Sequence, residues 1–197
     1  MKLKSYLHIF TAALLMMCCA YVGAGDSPFF SIDKNGVLQI GGSGSKLSFQ
    51  VNYKRGDNKN ALFTPNPYFH YAPKRTENGN QVIITSQPGA EYGPESTLTF
   101  TKESETRWHV NLKLVYPADF NVNFAAFELA MPIDEMKGKE FSYKGKSYAF
   151  PAECIKSKGF AFFHSSNVSE FELPYNGGTL KVSTSKPMPL LQLNDSR

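Results

Sequence analysis

A chain of 197 residues, 42% hydrophobic and 19% charged, holds one ordinary domain's worth of sequence and enough apolar material to bury a core without staples. Its 21 basic and 17 acidic residues leave it near neutral once Lys2 and Lys4 are set aside, which gives little support to nucleic-acid binding, where positive charge is concentrated on one face. Of the 3 cysteines, Cys18 and Cys19 lie near the start, so Cys154 alone in the body of the chain can form no internal disulfide and is expected to be buried or an intermolecular partner.

The N-terminus has the layout of an export signal. Met1-Lys2-Leu3-Lys4 is a short positive start, and an apolar run leads from Ile9 and Phe10 to Met16 and Met17. Small residues follow at Val22-Gly23-Ala24-Gly25, ahead of the first acid, Asp26. This arrangement predicts cleavage after Ala24, giving a signal peptide over 1–24 and a single domain over 25–197. The apolar run falls short of the roughly 20 residues a spanning helix needs, so no transmembrane anchor is expected. Cys18 and Cys19 leave a second route open, a bacterial lipoprotein cut just before a cysteine. The neighbours Met17 and Cys18 are poor for that cut, so a secreted or periplasmic protein is the first reading and a lipid-anchored envelope protein the alternative. The absence of a disulfide staple fits bacterial export.

Beyond the signal, period-2 patterns dominate. Val37-Leu38-Gln39-Ile40 follows Asp33-Lys34-Asn35-Gly36, and Asn-Gly beside an apolar run signals a hairpin. Lys46 to Tyr53 alternates, Gln81 to Ser86 is β-branched, and Thr97 to Thr101 sets Leu98 and Phe100 on one face. The clearest strand runs from Trp108 to Tyr116, with Trp108, Val110, Leu112, Leu114 and Tyr116 on one side. From Phe120 to Ala130 the apolar phase changes across Ala125-Ala126, which predicts a bulge or a passage between sheets. A helical turn is expected only over Ile133 to Lys137. Lys144-Gly145-Lys146 separates two strands, Asn176-Gly177-Gly178 separates the last pair before a C-terminal one, and Leu190-Leu191-Gln192-Leu193 reads as a further buried strand. The polar stretch Lys54 to Asn80, with Pro65, Pro67 and Pro73, reads as one long connection. The expected fold is all-β, an antiparallel β-sandwich (supersandwich-like) with little helix outside the signal peptide. The chain stops soon after Leu193, as a C-terminally truncated domain of a longer protein would, and equally as a legitimate terminal strand would.

Catalytic constellations are hard to find. A nucleophile needs a base to orient it, and the candidates are Cys154 with His70, His109 and His164; no Gly-x-Ser-x-Gly elbow occurs. His109 falls opposite the apolar face of its strand and reads as a solvated residue. No Cys/His cluster has zinc spacing. Asp33-Lys34-Asn35-Gly36 echoes a calcium loop but lacks its later ligands, so it reads as a turn. Glu91, Glu95, Asp119, Glu128, Glu170 and Glu172 supply carboxylates without a readable pairing. Gly41-Gly42-Ser43-Gly44 lies between strands and enters no helix, so it is no phosphate cradle. No cofactor and no metal are expected, and an enzyme is disfavoured. Asn167-Val168-Ser169 matches a glycosylation sequon, relevant only in a eukaryotic secretory route.

What remains is aromatic. Tyr68-Phe69-His70-Tyr71 puts ring side chains in a Pro-bounded loop, where flat sugar faces could stack. Tyr68, Phe69 and Tyr71 are the candidate carbohydrate-binding residues, against the alternative that the loop folds back and caps an open sandwich end. Trp108 is a further candidate, with core packing its competing use.

The segment Phe127-Glu128-Leu129-Ala130-Met131-Pro132, then Gly138, then Phe141 through Lys144-Gly145-Lys146 to Phe150-Pro151, has a strand ending in Pro, a turn ending in Gly and a hairpin ending in a second Pro. It resembles the N-terminal β-sandwich of secreted bacterial glycoside hydrolases and related polysaccharide-degrading proteins. Leu191-Gln192-Leu193-Asn194-Asp195-Ser196-Arg197 is similar to the strand that continues such sandwiches. The likeness spans about the second half of the chain and rests on turns and strand ends. It implies a non-catalytic, carbohydrate-associated module with a polysaccharide or glycan surface as partner and a tethered or fused catalytic domain; it transfers no catalytic residue. The competing class is a cell-envelope structural or protein-interaction domain.

Overall fold

Alternation gives each strand one apolar face, and those faces assemble in the computed structural model, which describes residues 15–22, 30–33, 37–40, 45–54, 60–63, 73–87, 94–115, 121–153, 161–175 and 177–194. In chain order the strands are β1 (Leu15–Val22), β2 (Phe30–Ile32), β3 (Leu38–Ile40), β4 (Ser45–Lys54), β5 (Asn60–Phe63), β6 (Lys74–Asn78), β7 (Gln81–Ser86) and β8 (Glu95–Ser104). They continue as β9 (Arg107–Val115), β10 (Asn121–Ala130), β11 (Glu140–Tyr143), β12 (Lys146–Ala149), β13 (Ala161–Ser165), β14 (Val168–Tyr175), β15 (Gly178–Met188) and β16 (Leu191–Asn194), with a single helical turn, α1, at Ile133–Met136.

The protein is all-β and antiparallel, sandwich-like and not closed into a barrel. A seven-stranded sheet runs in the order β14-β15-β1-β9-β8-β7-β6, and a five-stranded one in the order β10-β4-β3-β2 with β5 beside β4. Two small pairs, β11–β12 and β13–β16, complete the set.

The main core closes between the two large sheets. Leu38, Ile40, Leu47 and Phe49 on one side meet Ile84, Leu98, Phe100, Val110, Leu112, Leu180 and Val182 on the other, each buried. Two polar ties fix how the layers sit. The buried Tyr175 hydroxyl at the end of β14 donates to the carbonyl of Ile40 on β3 at 2.6 Å. Arg75 on the outermost strand β6 donates through Nη1 to the carbonyls of Ile32 and Asp33, at 2.8 and 2.9 Å.

A second apolar cluster forms where the β11–β12 hairpin covers β13 and β14. Phe141 packs edge-on to Phe163 at 5.2 Å, while Tyr148 lies 4.9 Å from the same ring. Met136, Phe150, Val168 and Leu173 are buried with them. Leu129, Met131 and Phe171 touch both clusters, so the two interiors are continuous in packing.

Three expectations need correction. The stretch Lys54 to Asn80 is not one connection, because it contains β5 and β6. Every residue of β6, Lys-Arg-Thr-Glu-Asn, is exposed, so its pairing to β7 is held by backbone bonds and leaves no apolar pattern to read. The irregularity in β10 falls between Val122 and Phe124, earlier than Ala125-Ala126, and from Phe124 onward the strand follows β4 in register. Leu190 is 56% exposed and Leu191 and Leu193 half-buried, so the C-terminal strand lies at the rim and not in the interior.

The apolar N-terminal segment has a place in this fold. Leu15–Val22 is β1, paired antiparallel to β15 on one side and to β9 on the other. No helix among the described residues is long and apolar enough to cross a membrane.

Candidate functional site

A hairpin turn, a bend and one strand border an open depression among the described residues. Lys144 and Gly145 both take left-handed backbone, φ 49° and 73°, as a two-residue hairpin between right-twisted strands requires. Asn167, at φ 54°, makes the corresponding turn from β13 into β14; asparagine tolerates that region better than most residues. With Ser142, Tyr143, Ser169 and Phe171, these turns border an open depression of about 330 Å³. Among the described residues, both non-glycine residues with positive φ, Lys144 and Asn167, thus line one surface. Such backbone gathers at functional sites more often than elsewhere.

Its electrostatics are mixed. Lys144 Nζ stands 5.2 Å from the centre of the Tyr143 ring, and Ser165 Oγ donates to the Tyr143 hydroxyl at 3.1 Å. That hydrogen bond, with Lys144 adjacent, holds the phenol below its ordinary value. Along the floor, Glu170 and Glu172 share one cation: Lys181 Nζ lies 2.7 Å from Glu170 and 3.6 Å from Glu172. The Glu170 hydrogen bond raises the Lys181 pKa, with Glu172 adding to it. A surface bearing hydroxyls, an amide, two carboxylates and the edges of two rings can hydrogen-bond a polyhydroxylated ligand.

The sequence-derived candidates distribute as follows. Tyr68, Phe69, His70 and Tyr71 lie outside the described residues, as do Cys154, Glu91 and Asp119. Trp108 is only 7% exposed; its ring lies 6.1 Å from Phe30 at 45°, within the main core. Its faces are therefore not available to a sugar in this structure, and its indole nitrogen is buried without a hydrogen-bond partner among the described residues. His109 points outward as expected, its Nε2 2.6 Å from Glu103. That contact, with Arg107 at 3.4 Å, lowers the Glu103 pKa. His164 and Glu128 are exposed. Asp33 behaves as a turn residue, accepting from the Val37 amide at 3.1 Å and from the Gln39 side chain at 3.3 Å. No group of three or more His, Cys, Asp or Glu that could hold a metal occurs among the described residues.

Sequence reasoning missed the depression, although Lys144-Gly145 and the sequon Asn167-Val168-Ser169 were both noticed singly. What brings them together is the packing of the β11–β12 hairpin on β14, which is not a sequence-local property. No protein-family model, curated protein or solved structure matches this chain.

Proposed function

We propose that the chain is an exported, non-catalytic β-sandwich that associates with carbohydrate, as an accessory module of a larger polysaccharide-degrading protein. The observation that carries this reading is the open depression at Lys144 and Asn167, lined by about as much polar as apolar surface. It has the hydroxyl, amide and carboxylate chemistry that pairs with sugar hydroxyls, and no buried general acid. Glu170 and Glu172 are committed to Lys181. The N-terminal signal pattern supports export, and the likeness of residues 127–151 to hydrolase sandwiches supports the class of partner.

Glycan-array and calorimetric binding of plant, algal and host polysaccharides to residues 25–197 tests the reading. Binding that falls at least tenfold in Asn167→Gly/Ser169→Ala, with the melting curve preserved, assigns the depression. Loss of binding in Tyr68→Ala/Tyr71→Ala instead assigns the aromatic loop. Silence across all polysaccharides removes the carbohydrate reading.

One observation favours a second reading, a protein-interaction domain of the cell envelope. The strand lost on cleavage at Ala24 is an inner strand of the larger sheet.

A further inference from the structure

β1 lies between two strands that do not touch each other. Met17 to Val22 pair with Thr184 to Thr179 on β15, and Leu15 to Ala20 pair with Leu112 to Arg107 on β9. Removal of residues 1–24 strips the partner from both edges at once. The side chains beside the gap are core residues: Trp108, Val110, Leu112, Leu180 and Val182 are all buried. An open gap there leaves two rows of unpaired amides and carbonyls and admits water to the interior.

The gap cannot simply close. Both neighbours run antiparallel to β1, so β9 and β15 run parallel to each other. Direct pairing would need a parallel ladder and a shift of the β14–β15 half by one strand spacing, about 4.8 Å. That shift would break the 2.6 Å bond from Tyr175 to the Ile40 carbonyl.

We propose that the place between β9 and β15 is a strand-acceptor slot, filled by the chain's own leader before processing and by a partner polypeptide's strand afterwards. This rests on the reading that residues 1–24 are removed. The register defines the donor. It runs antiparallel to both neighbours, spans the eight positions of Leu15–Val22, six of them paired on each side, and is apolar at the alternate positions opposite Trp108, Val110, Leu180 and Val182. The leader has Met17, Cys19 and Tyr21 at those register positions. A second copy of the chain is a poor donor, because every other strand among the described residues is already paired, β16 with β13 included. Strand addition to a sheet edge is a general mode of polypeptide capture: main-chain bonds give affinity and alternate side-chain positions give specificity.

The test uses residues 25–197 and a synthetic peptide of residues 13–24 carrying a solubilising lysine tail. Trp108, the one tryptophan, reports the slot by its emission, and hydrogen exchange reads amides 107–112 and 179–184. Without peptide, those amides are expected to exchange at least a hundredfold faster than in the uncut chain, with red-shifted Trp108 emission. The peptide restores both edges together and shifts the emission back, while a scrambled peptide does neither. A monomer whose edges are fully protected without peptide overturns the proposal, and so does a peptide that protects one edge or none. A homodimer with protected edges overturns it in favour of a second copy. A companion variant, with a protease site replacing residues 23–25 and nicked after folding, covers the case in which residues 25–197 do not fold alone. The nicked leader is expected to stay bound and to exchange with labelled peptide; loss of the leader with both edges still protected overturns the slot. N-terminal mass spectrometry of exported protein separates the two failures, since an intact Met1 there refutes processing and leaves the nicked-chain result to judge the slot.

Discussion

The hydroxyl of Tyr175 and the carbonyl of Ile40, 135 positions apart in sequence, meet at 2.6 Å inside the sandwich. The tyrosine is 1% exposed, and it joins the edge strand of one sheet to an inner strand of the other. A buried carbonyl that loses its donor bears its full desolvation cost. Tyr175→Phe keeps the ring and removes this bond, so the melting transition is expected to lose about 1–3 kcal/mol of stability. Chemical denaturation with unchanged slope checks it.

The second cluster depends on Phe163, which faces Phe141, Tyr143 and Tyr148 at centroid distances between 4.9 and 5.5 Å. Phe163→Ala is expected to cost about 3–5 kcal/mol. It should also release the β11–β12 hairpin, which packs on that ring. Exchange of amides 140–149 is the readout; a global loss of stability without faster exchange there speaks against a hairpin held by this ring.

Gly145 has φ 73° with no neighbouring atom near the position of an added Cβ. The effect of Gly145→Ala is therefore backbone strain alone, about 1–2 kcal/mol. Because Lys144 and Gly145 shape the depression, the same substitution is expected to weaken glycan binding while Gly79→Ala, also at positive φ but in a different hairpin, leaves it unchanged. Paired melting and binding curves decide.

Two surface ion clusters give opposite pH signatures. Glu103 has a lowered pKa, caused first by the His109 hydrogen bond and then by Arg107. Its contribution is present above the ordinary carboxylate pKa and is lost as pH falls through the lowered value. Lys181 has a raised pKa, caused first by Glu170; its contribution is present below the ordinary lysine value and is lost as pH rises through the raised one. Glu103→Gln is expected to flatten the acid limb of the melting-temperature profile and Lys181→Met the alkaline limb. Both groups are solvent-exposed and screened by salt, so high ionic strength shrinks each difference.

The β architecture was legible wherever one strand face is buried. From Trp108 to Leu114 every second residue is apolar, and in the structure residues 107–115 alternate buried with exposed or half-buried positions without a break. The same logic found β4, β7, β8, β14 and β15, and the turns at Lys144-Gly145 and before Gly178. It failed at β6, whose five exposed polar residues carry no pattern, and at β2, where three residues are too few to show a period. The depression was not legible, because Lys144 in the β11–β12 hairpin and Asn167 between β13 and β14 meet through packing between separate elements. Nor does a sequence reading of 1–24 as a leader suggest that the same continuous apolar run fits the middle of a sheet.

The account rests on two β layers closing over one interior, with Trp108 of one sheet against Phe30 of the other at 6.1 Å. Nuclear Overhauser spectroscopy on the uncut 197-residue chain, with its aromatic rings labelled, reads that contact directly. Cross-peaks between the Trp108 indole and the Phe30 ring, with blue-shifted tryptophan emission, are the expected result. A solvent-exposed indole with no cross-peak to Phe30, in a chain that melts cooperatively, would contradict it.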